Sequence, residues 1–281
     1  MFSKNPTGER LEQGDLSQSM AEHLHRYKIA EFFCTNKVVL DIACGEGYGT
    51  NLLSKVATKV SGVDIDANTI AEASLKYKSE NIEFKEGNTS NIPFENSLFD
   101  VVVSFETIEH HNQHHEMLKE IKRVLKPGGL LIISTPDKHV YTDLKGTINK
   151  FHIKELYKKE FVELINTYFT NATIFNQKFI TGSYIYADTN SSEQSMIWYN
   201  GNFEQIQKTT KPEGEYTIAI ASDEKISIPN EVEKESFFLE TNFINKLIAQ
   251  YKNLSIRYKV GYIILSPLRI IKNIVNTFLK P

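Results

Sequence analysis

Three glycines at alternating positions, Gly45, Gly47 and Gly49, follow directly on the apolar stretch Val38–Ile42. Such a stretch is typical of a buried parallel strand, and a turn without Cβ atoms lets the backbone approach a ligand closely. A second strand-like stretch ends at Asp64, about 20 residues further on, where a carboxylate that binds a ribose is expected. Residues of these types at these spacings indicate a site for a nucleoside.

Two kinds of nucleoside cofactor are bound by turns of this outline. Dinucleotide sites have the pattern Gly-x-Gly-x-x-Gly, and here the third glycine comes one residue early. Asp41, on the preceding strand, would repel a pyrophosphate but could face an ammonium group or a water bound to one. The spacing Asp-x-x-x-Gly-x-Gly-x-Gly resembles motif I of the class I S-adenosylmethionine-dependent methyltransferases. A glycine-rich turn without a ligand is the alternative interpretation.

Later segments follow the order of landmarks in that family. Asn88 follows the third predicted strand, where the family usually has an Asp that accepts from the adenine amine, and an amide oxygen can also accept. Residues 99–106 are typical of the fourth strand, and the Lys-Pro-Gly-Gly run at 126–129 ends a helix and begins a strand. The resemblance implies cofactor contacts by Asp41, Gly45, Gly47, Gly49, Asp64, Ile65, Asn88, Thr89 and Phe105.

The resemblance implies an α/β, Rossmann-like fold with a seven-stranded, mostly parallel sheet and helices on both of its faces. Strands and helical stretches alternate from residue 38 to about 136, and the strand near 216–221 is expected to be the antiparallel seventh. The predicted domains are a helical cap at 1–37, the cofactor-binding domain at 38–223 and a helical tail at 224–281. A polar insertion at about 182–214 is predicted to form part of the acceptor pocket, with a disordered surface loop as the alternative.

The helical cap carries the remaining candidate for the cofactor site. Arg26 is expected to contact the carboxylate of the methionine moiety or an anionic acceptor, and an exposed helix charge is the alternative. The mixed face expected for this helix is Ala21, Leu24, Lys28 and Phe32.

Histidines are concentrated after the fourth strand, at the sheet edge where open α/β folds bind ligands. The pairs His110/His114 and His111/His115 have the i, i+4 spacing of metal ligands, but no Cys or motif-placed carboxylate completes a set, and no metal is predicted. His152 lies in a Phe-His-x-x-Glu-Leu segment that resembles methyltransferases of bacterial surface-glycan clusters. The candidates for the base that receives the acceptor proton are therefore His111, His152 and His110.

The resemblance implies an enzyme of class EC 2.1.1 that O-methylates a sugar or a sugar-linked phosphate, free or lipid-linked, in surface polysaccharide biosynthesis. S-adenosylmethionine would be the cofactor and S-adenosylhomocysteine the product. A methyltransferase for a small metabolite or quinone-like acceptor and a cofactor-binding module without catalysis are the alternatives. Nucleic acid is not an expected partner, because an Asn-Pro-Pro-Tyr-type loop is absent after the fourth strand. A homo-oligomer is left open.

Composition and charge bear on the compartment. The chain has 281 residues, of which 41% are hydrophobic and 24% charged, as in an ordinary globular protein. Two cysteines and an N-terminus without an apolar core favour the cytoplasm. The final 41 residues carry seven Lys or Arg and no acid, which leaves a net charge of −10 on the remainder. This basic tail predicts peripheral contact with the inner face of the membrane, and packing on its own domain or a second subunit is the alternative.

Overall fold

The computed structural model describes residues 17–146, 148–180, 197–202, 204–233 and 235–238. The helices are α1 (Gln18–Cys34), α2 (Tyr48–Leu53), α3 (Ala67–Lys76), α4 (His114–Val124), α5 (Lys158–Tyr168) and α6 (Asn230–Glu233). The strands are β1 (Val38–Ile42), β2 (Lys59–Asp64), β3 (Ile82–Glu86), β4 (Phe99–Phe105), β5 (Leu125–Pro136), β6 (Asn171–Gln177), β7 (Trp198–Gly201), β8 (Ile206–Thr209) and β9 (Tyr216–Ser222). A 3₁₀ turn at Ile108–His110 and a π turn at His139–Asp143 complete the set of regular elements in these ranges.

Seven of the strands form one sheet in the order β3-β2-β1-β4-β5-β9-β6. Strands β3, β2, β1, β4 and β5 run parallel to one another, whereas β9 runs antiparallel to β5 and to β6. The predicted mostly parallel sheet with an antiparallel seventh strand is therefore confirmed. The carboxyl ends of β1, β2 and β4 meet at one edge, where a doubly wound sheet binds its ligands.

Both faces of the sheet are covered by apolar packing, because successive side chains of a strand point to opposite sides. Leu40 and Val102 belong to a cluster that includes α4 and α5, whereas Val39 and Val101 belong to a second cluster that includes α1. The face predicted for α4 is buried as expected: Met117, Leu118, Ile121, Val124 and Leu125. Helix α4 ends at Val124, and the Lys-Pro-Gly-Gly run lies within β5 where the register to β4 shifts.

Helix α1 buries only part of the predicted mixed face. Ala21 is buried and Leu24 is half-buried, whereas Lys28 and Phe32 are exposed. Arg26 and Tyr27 are buried as well. A buried arginine needs a partner, and Glu106, at the end of β4, accepts a hydrogen bond from Arg26 Nη1 at 2.7 Å. Helix α1 is therefore buried both by its apolar side, which includes Tyr27, Ala30 and Phe33, and by the pairing of Arg26 with Glu106.

Two compact units divide the chain at residue 236, and the second unit, 237–281, lies outside the described residues except for 237 and 238. The basic helices predicted for the tail fall in that unit. Within the insertion, β7 and β8 pair as an antiparallel hairpin, and residues 181–196 and 203 are not among those described. The domain boundaries at 37 and 223 stay predictions. In the ranges that the structure describes, none of the helices has the length and apolarity needed to cross a membrane.

Candidate functional site

A cavity of about 910 Å³ opens at the carboxyl edge of the sheet. Most of the predicted site residues line it, from both the glycine turn and the histidine-rich segment. Those that line it are Arg26, Gly45, Asp64, Ile65, Asn88, Thr89, Phe105, His110, His111 and His152. Asp41, Gly47 and Gly49 lie behind its wall.

The Asp64 carboxylate ties the end of β2 to the glycine turn. Its Oδ2 accepts a hydrogen bond from the Gly45 N–H at 3.0 Å, and its Oδ1 accepts one from the Asp66 N–H at 3.0 Å. Gly45 has φ +53°, and a Cβ added there would meet no atom within 4 Å. The turn therefore leaves room for a ligand above Gly45, beside a carboxylate that is already oriented by two backbone donors.

Gly49 has another reason to lack a side chain. A Cβ at this position would lie 1.9 Å from the Tyr27 ring, which reaches across from α1. A Cβ at Gly47 would likewise meet the Phe84 ring at 2.7 Å. These two glycines leave room for aromatic side chains of the protein, so Gly45 is the one of the three turn glycines that lines the cavity.

Asp41 is fully buried in the middle of the sheet, in register between Gly62 of β2 and Val103 of β4. Its Oδ2 accepts a hydrogen bond from the Thr50 hydroxyl at 2.7 Å, and its Oδ1 accepts one from the Tyr27 hydroxyl at 3.2 Å. Desolvation raises the pKa of Asp41 to about 7, against the lowering effect of these hydroxyls. The carboxylate does not line the cavity. The predicted contact of Asp41 with an ammonium group, or with a water bound to one, stays a prediction.

Asp41→Asn is expected to remove part of the pH dependence of stability. A native pKa near 7, raised from 3.8, means that the folded state holds this proton more tightly, so stability falls as pH rises between about 4 and 7. The variant keeps an oxygen acceptor and cannot ionise, so its free energy of unfolding should lack this decline, a difference on the order of a few kcal/mol. Urea titrations of the ligand-free protein from pH 4 to pH 8 measure it. Equal slopes for the wild type and the variant would contradict the assignment, and exposed Glu95→Gln is the control.

Asn88, Thr89 and His111 form one corner of the cavity. The Asn88 amide oxygen accepts hydrogen bonds from the Ser90 N–H at 2.9 Å and the Ser90 hydroxyl at 3.0 Å, so it holds a turn. His111 Nδ1 accepts from the Gln113 N–H at 3.1 Å, which places the ring proton on Nε2, 3.4 Å from the Thr89 hydroxyl. Burial lowers the pKa of His111. His111 therefore lies with the predicted adenine contacts rather than with the other two histidine candidates.

The opposite part of the cavity contains Arg26 and Glu106. Arg26 has its side chain only 1% exposed, its Nη1 donates to Glu106, and the guanidinium stacks over the Tyr216 ring at 4.8 Å. The Ser134 hydroxyl donates a second hydrogen bond to the same Glu106 oxygen at 2.6 Å. Arg26 is therefore neutralised locally, and contact with a methionine carboxylate stays a prediction.

Glu109, His110 and His152 converge in the same part of the cavity. One ligand atom of each lies within 4.8 Å of the other two, and the two imidazole rings meet edge to face at 5.1 Å. His152 Nδ1 lies 2.5 Å from a carboxylate oxygen of Glu155. Desolvation, with the neighbouring charge of Glu106, raises the pKa of Glu109 well above its usual range. This arrangement of a buried carboxyl and two imidazoles can take part in proton transfer or bind a cation.

The sequence prediction missed several residues of this region, among them Glu106, Glu109, Tyr141, Asn149 and Tyr216. Glu106 has φ +50°, a conformation that is uncommon for a residue other than glycine and occurs often at functional sites. The spacing Glu106-x-x-Glu109-His110 after a strand was the available signal. Tyr141 and Tyr216 carry no such signal, because only the tertiary fold brings them to the cavity.

Comparisons with known proteins agree with the fold and the glycine turn. Residues 40–133 match the family described as methyltransferase domain. A Mycolicibacterium smegmatis protein described as a probable S-adenosylmethionine-dependent methyltransferase is 35% identical over 164 residues, 57% of this chain and 63% of that protein. The malonyl-acyl-carrier-protein O-methyltransferase of Priestia megaterium is 25% identical over 245 residues, 85% of this chain and 83% of that protein.

Among solved structures, an S-adenosylmethionine-dependent methyltransferase from Thermotoga maritima superposes with a TM-score of 0.52 at 18% identity. The match covers 72% of this chain and 89% of that one, and it shows the shared fold. The chain spans between about half and two thirds of the length of the curated mycobacterial relatives that it matches.

Proposed function

We propose that this chain, whose residues 40–133 match a methyltransferase domain, is a class I S-adenosylmethionine-dependent methyltransferase and transfers the methyl group of that cofactor to a hydroxyl oxygen of a sugar acceptor. S-adenosylmethionine is the cofactor of this domain type, and S-adenosylhomocysteine is the product it leaves. A methyl group on a sulfonium is already activated, so the protein mainly positions the acceptor oxygen in line behind it. The observation that carries the proposal is one cavity that joins Gly45 and Asp64 to a carboxyl–imidazole cluster.

The acceptor side of the cavity supports a neutral, hydroxyl-rich molecule. Glu106 and Glu109 can accept hydrogen bonds from hydroxyl groups, and the rings of Tyr141 and Tyr216 offer flat apolar faces. Arg26 is already paired with Glu106, which leaves little positive charge for a phosphate or a carboxylate. The malonyl group named for the Priestia megaterium relative therefore fits these side chains less well than an unphosphorylated sugar does.

Two other functions are compatible with the same cofactor half. A quinone-like or other small metabolite could occupy the aromatic part of the cavity, and a module that binds the cofactor without catalysis would keep the fold alone. The wider setting belongs to the proposal as well: an acceptor from surface polysaccharide biosynthesis, work in the cytoplasm, and contact of the basic tail with an anionic membrane.

Calorimetry with S-adenosylhomocysteine tests the cofactor. Transfer of a labelled methyl group to a panel of unphosphorylated glycosides and quinols tests the acceptor, with nucleotide sugars as the charged comparison. We expect saturable binding at one site and label in the sugar fraction. A folded protein that does not bind the thioether would contradict the whole proposal. Label in the quinol fraction alone would replace the sugar with a quinone-like acceptor. Binding of S-adenosylhomocysteine without methyl transfer to any acceptor would favour a module that binds the cofactor without catalysis.

His152→Ala is expected to lower kcat by about 10²–10⁴, the usual contribution of a group that assists proton transfer, while the affinity for S-adenosylhomocysteine stays unchanged. His111→Ala should lower turnover less and weaken cofactor binding more, because His111 contacts Thr89. His115→Ala is the matched control, since His115 contacts Tyr168 and does not line the cavity. Steady-state kinetics and calorimetry separate these effects, and normal turnover in His152→Ala would contradict the assignment.

A further inference from the structure

We propose that Glu109, His110 and His152 bind a divalent transition-metal ion, with Zn²⁺ as the best match, on the acceptor side of the cavity. The use of this ion in methyl transfer rests on the proposed function, whereas its binding does not. The predicted histidine pairs had suggested no complete ligand set. In the structure, His110 is partnered instead by Glu109, its neighbour in sequence, and by His152, from the segment after β5.

The hydrogen bonds of both rings leave the same nitrogen as an acceptor. His110 Nδ1 donates to the Phe151 carbonyl at 3.2 Å, and His152 Nδ1 donates to Glu155. In a neutral imidazole the other nitrogen, Nε2, then carries the lone pair that a metal requires. A histidine ligand held by a backbone carbonyl or by a carboxylate is the usual outer-shell arrangement of metal sites.

The third ligand is a carboxylate oxygen that is buried inside the cluster. Glu109 Oε2 accepts from the Thr135 hydroxyl at 3.1 Å, whereas Oε1 has no hydrogen-bond partner among the described residues and lies 4.0 Å from His110 Nε2. Glu109 is 1% exposed, so water does not readily satisfy this oxygen. A buried acceptor without a partner normally has an explanation, and a bound cation would be one.

Two imidazoles and one carboxylate make up a common set for a catalytic zinc site, which keeps a further position for a substrate oxygen. Asn149 Nδ2 lies 3.0 Å from His152 Nε2, so this amide would move aside when the ion binds. With the ion bound, His152 would serve as a ligand and not as the base. A sugar hydroxyl at the open position would have its pKa lowered and its proton would pass to water, so the loss of turnover in His152→Ala would follow from loss of the ion. The oxygen then forms the new O–CH₃ bond with its own electron pair, while the pair of the broken S–CH₃ bond stays on sulfur. The ion changes no oxidation state.

Metal binding to the full-length protein tests the site without any measurement of activity. Chelator-treated protein is titrated with Zn²⁺ and, separately, with Co²⁺. The visible absorption of Co²⁺ becomes intense when the ion has a low coordination number, as in a tetrahedral site. We expect one equivalent to bind. Glu109→Gln and His152→Ala should abolish it, and Glu155→Gln should weaken it by about 10- to 100-fold through the outer shell. His115→Ala is the control, and calorimetry with S-adenosylhomocysteine checks that each variant is folded.

A wild-type protein that binds S-adenosylhomocysteine but neither metal would overturn the site and leave the proposed function standing. Binding that is equally strong in Glu109→Gln and His152→Ala would also overturn it, because the ion would then lie elsewhere. Stoichiometric binding that those variants lose would support the site even if methyl transfer to every acceptor failed.

Discussion

Asp64→Ala is expected to weaken the binding of S-adenosylhomocysteine by about 10- to 100-fold or more. Hydrogen bonds to a charged group contribute about 1.5–3 kcal/mol each, and about 1.4 kcal/mol corresponds to a factor of ten. The carboxylate lines the cavity and is held in place by the N–H groups of Gly45 and Asp66. Its removal takes away the predicted ribose contact and also the anchor of the Gly45 turn, so both effects reduce affinity.

Asp66→Ala is the matched control for this variant. Asp66 caps α3 by accepting from the Asn68 and Thr69 N–H groups, and it does not line the cavity. Its loss should cost about 1 kcal/mol of stability and leave the affinity for S-adenosylhomocysteine unchanged. Calorimetry and urea unfolding on both variants separate binding from folding. An unchanged affinity in Asp64→Ala would mean that the ribose assignment is wrong.

Arg26→Met is expected to lower the free energy of unfolding by about 3–5 kcal/mol. The Arg26 guanidinium is buried against Glu106, and removing one partner of such a pair leaves an uncompensated charge. Its stacking on Tyr216 and its hydrogen bond to Ser134, at 3.4 Å, are lost at the same time. The double variant Arg26→Met/Glu106→Gln should recover part of the loss, because no unpaired carboxylate then remains.

Lys28→Met, on the same helix, is the comparison for this second result. Lys28 forms an exposed ion pair with Glu31, three residues on, and such pairs contribute about 0–1 kcal/mol. Urea unfolding of the four proteins measures the difference. The assignment fails if Arg26→Met loses no more than Lys28→Met, or if the double variant is less stable than the single one by the full cost of a second lost interaction.

The parts of this protein that the sequence determined are those whose signal is local. Buried parallel strands are rich in apolar, β-branched residues, so β1 was evident, and β2 was indicated by Val60 and Val63. The turn at Gly45 follows β1, and Asp64 ends β2 at a short, regular spacing from it. The same holds for α4, whose apolar face repeats at helical spacing. The strand order and the antiparallel β9 agreed with the family resemblance because landmarks in a given chain order imply a topology.

Tertiary structure alone decided which residues meet across the site. Gly49 was predicted to contact the cofactor, but the space that its missing Cβ leaves is occupied by Tyr27 from another helix. Arg26 has the sequence signal of a surface charge, and its burial depends on Glu106, 80 residues away. His110 and His152 meet only because β5 and the segment after it return to the same sheet edge. The periodicity of a sequence reveals contacts between residues that are near neighbours along the chain. These contacts join distant segments, and a single sequence gives no signal that links one such segment to the other.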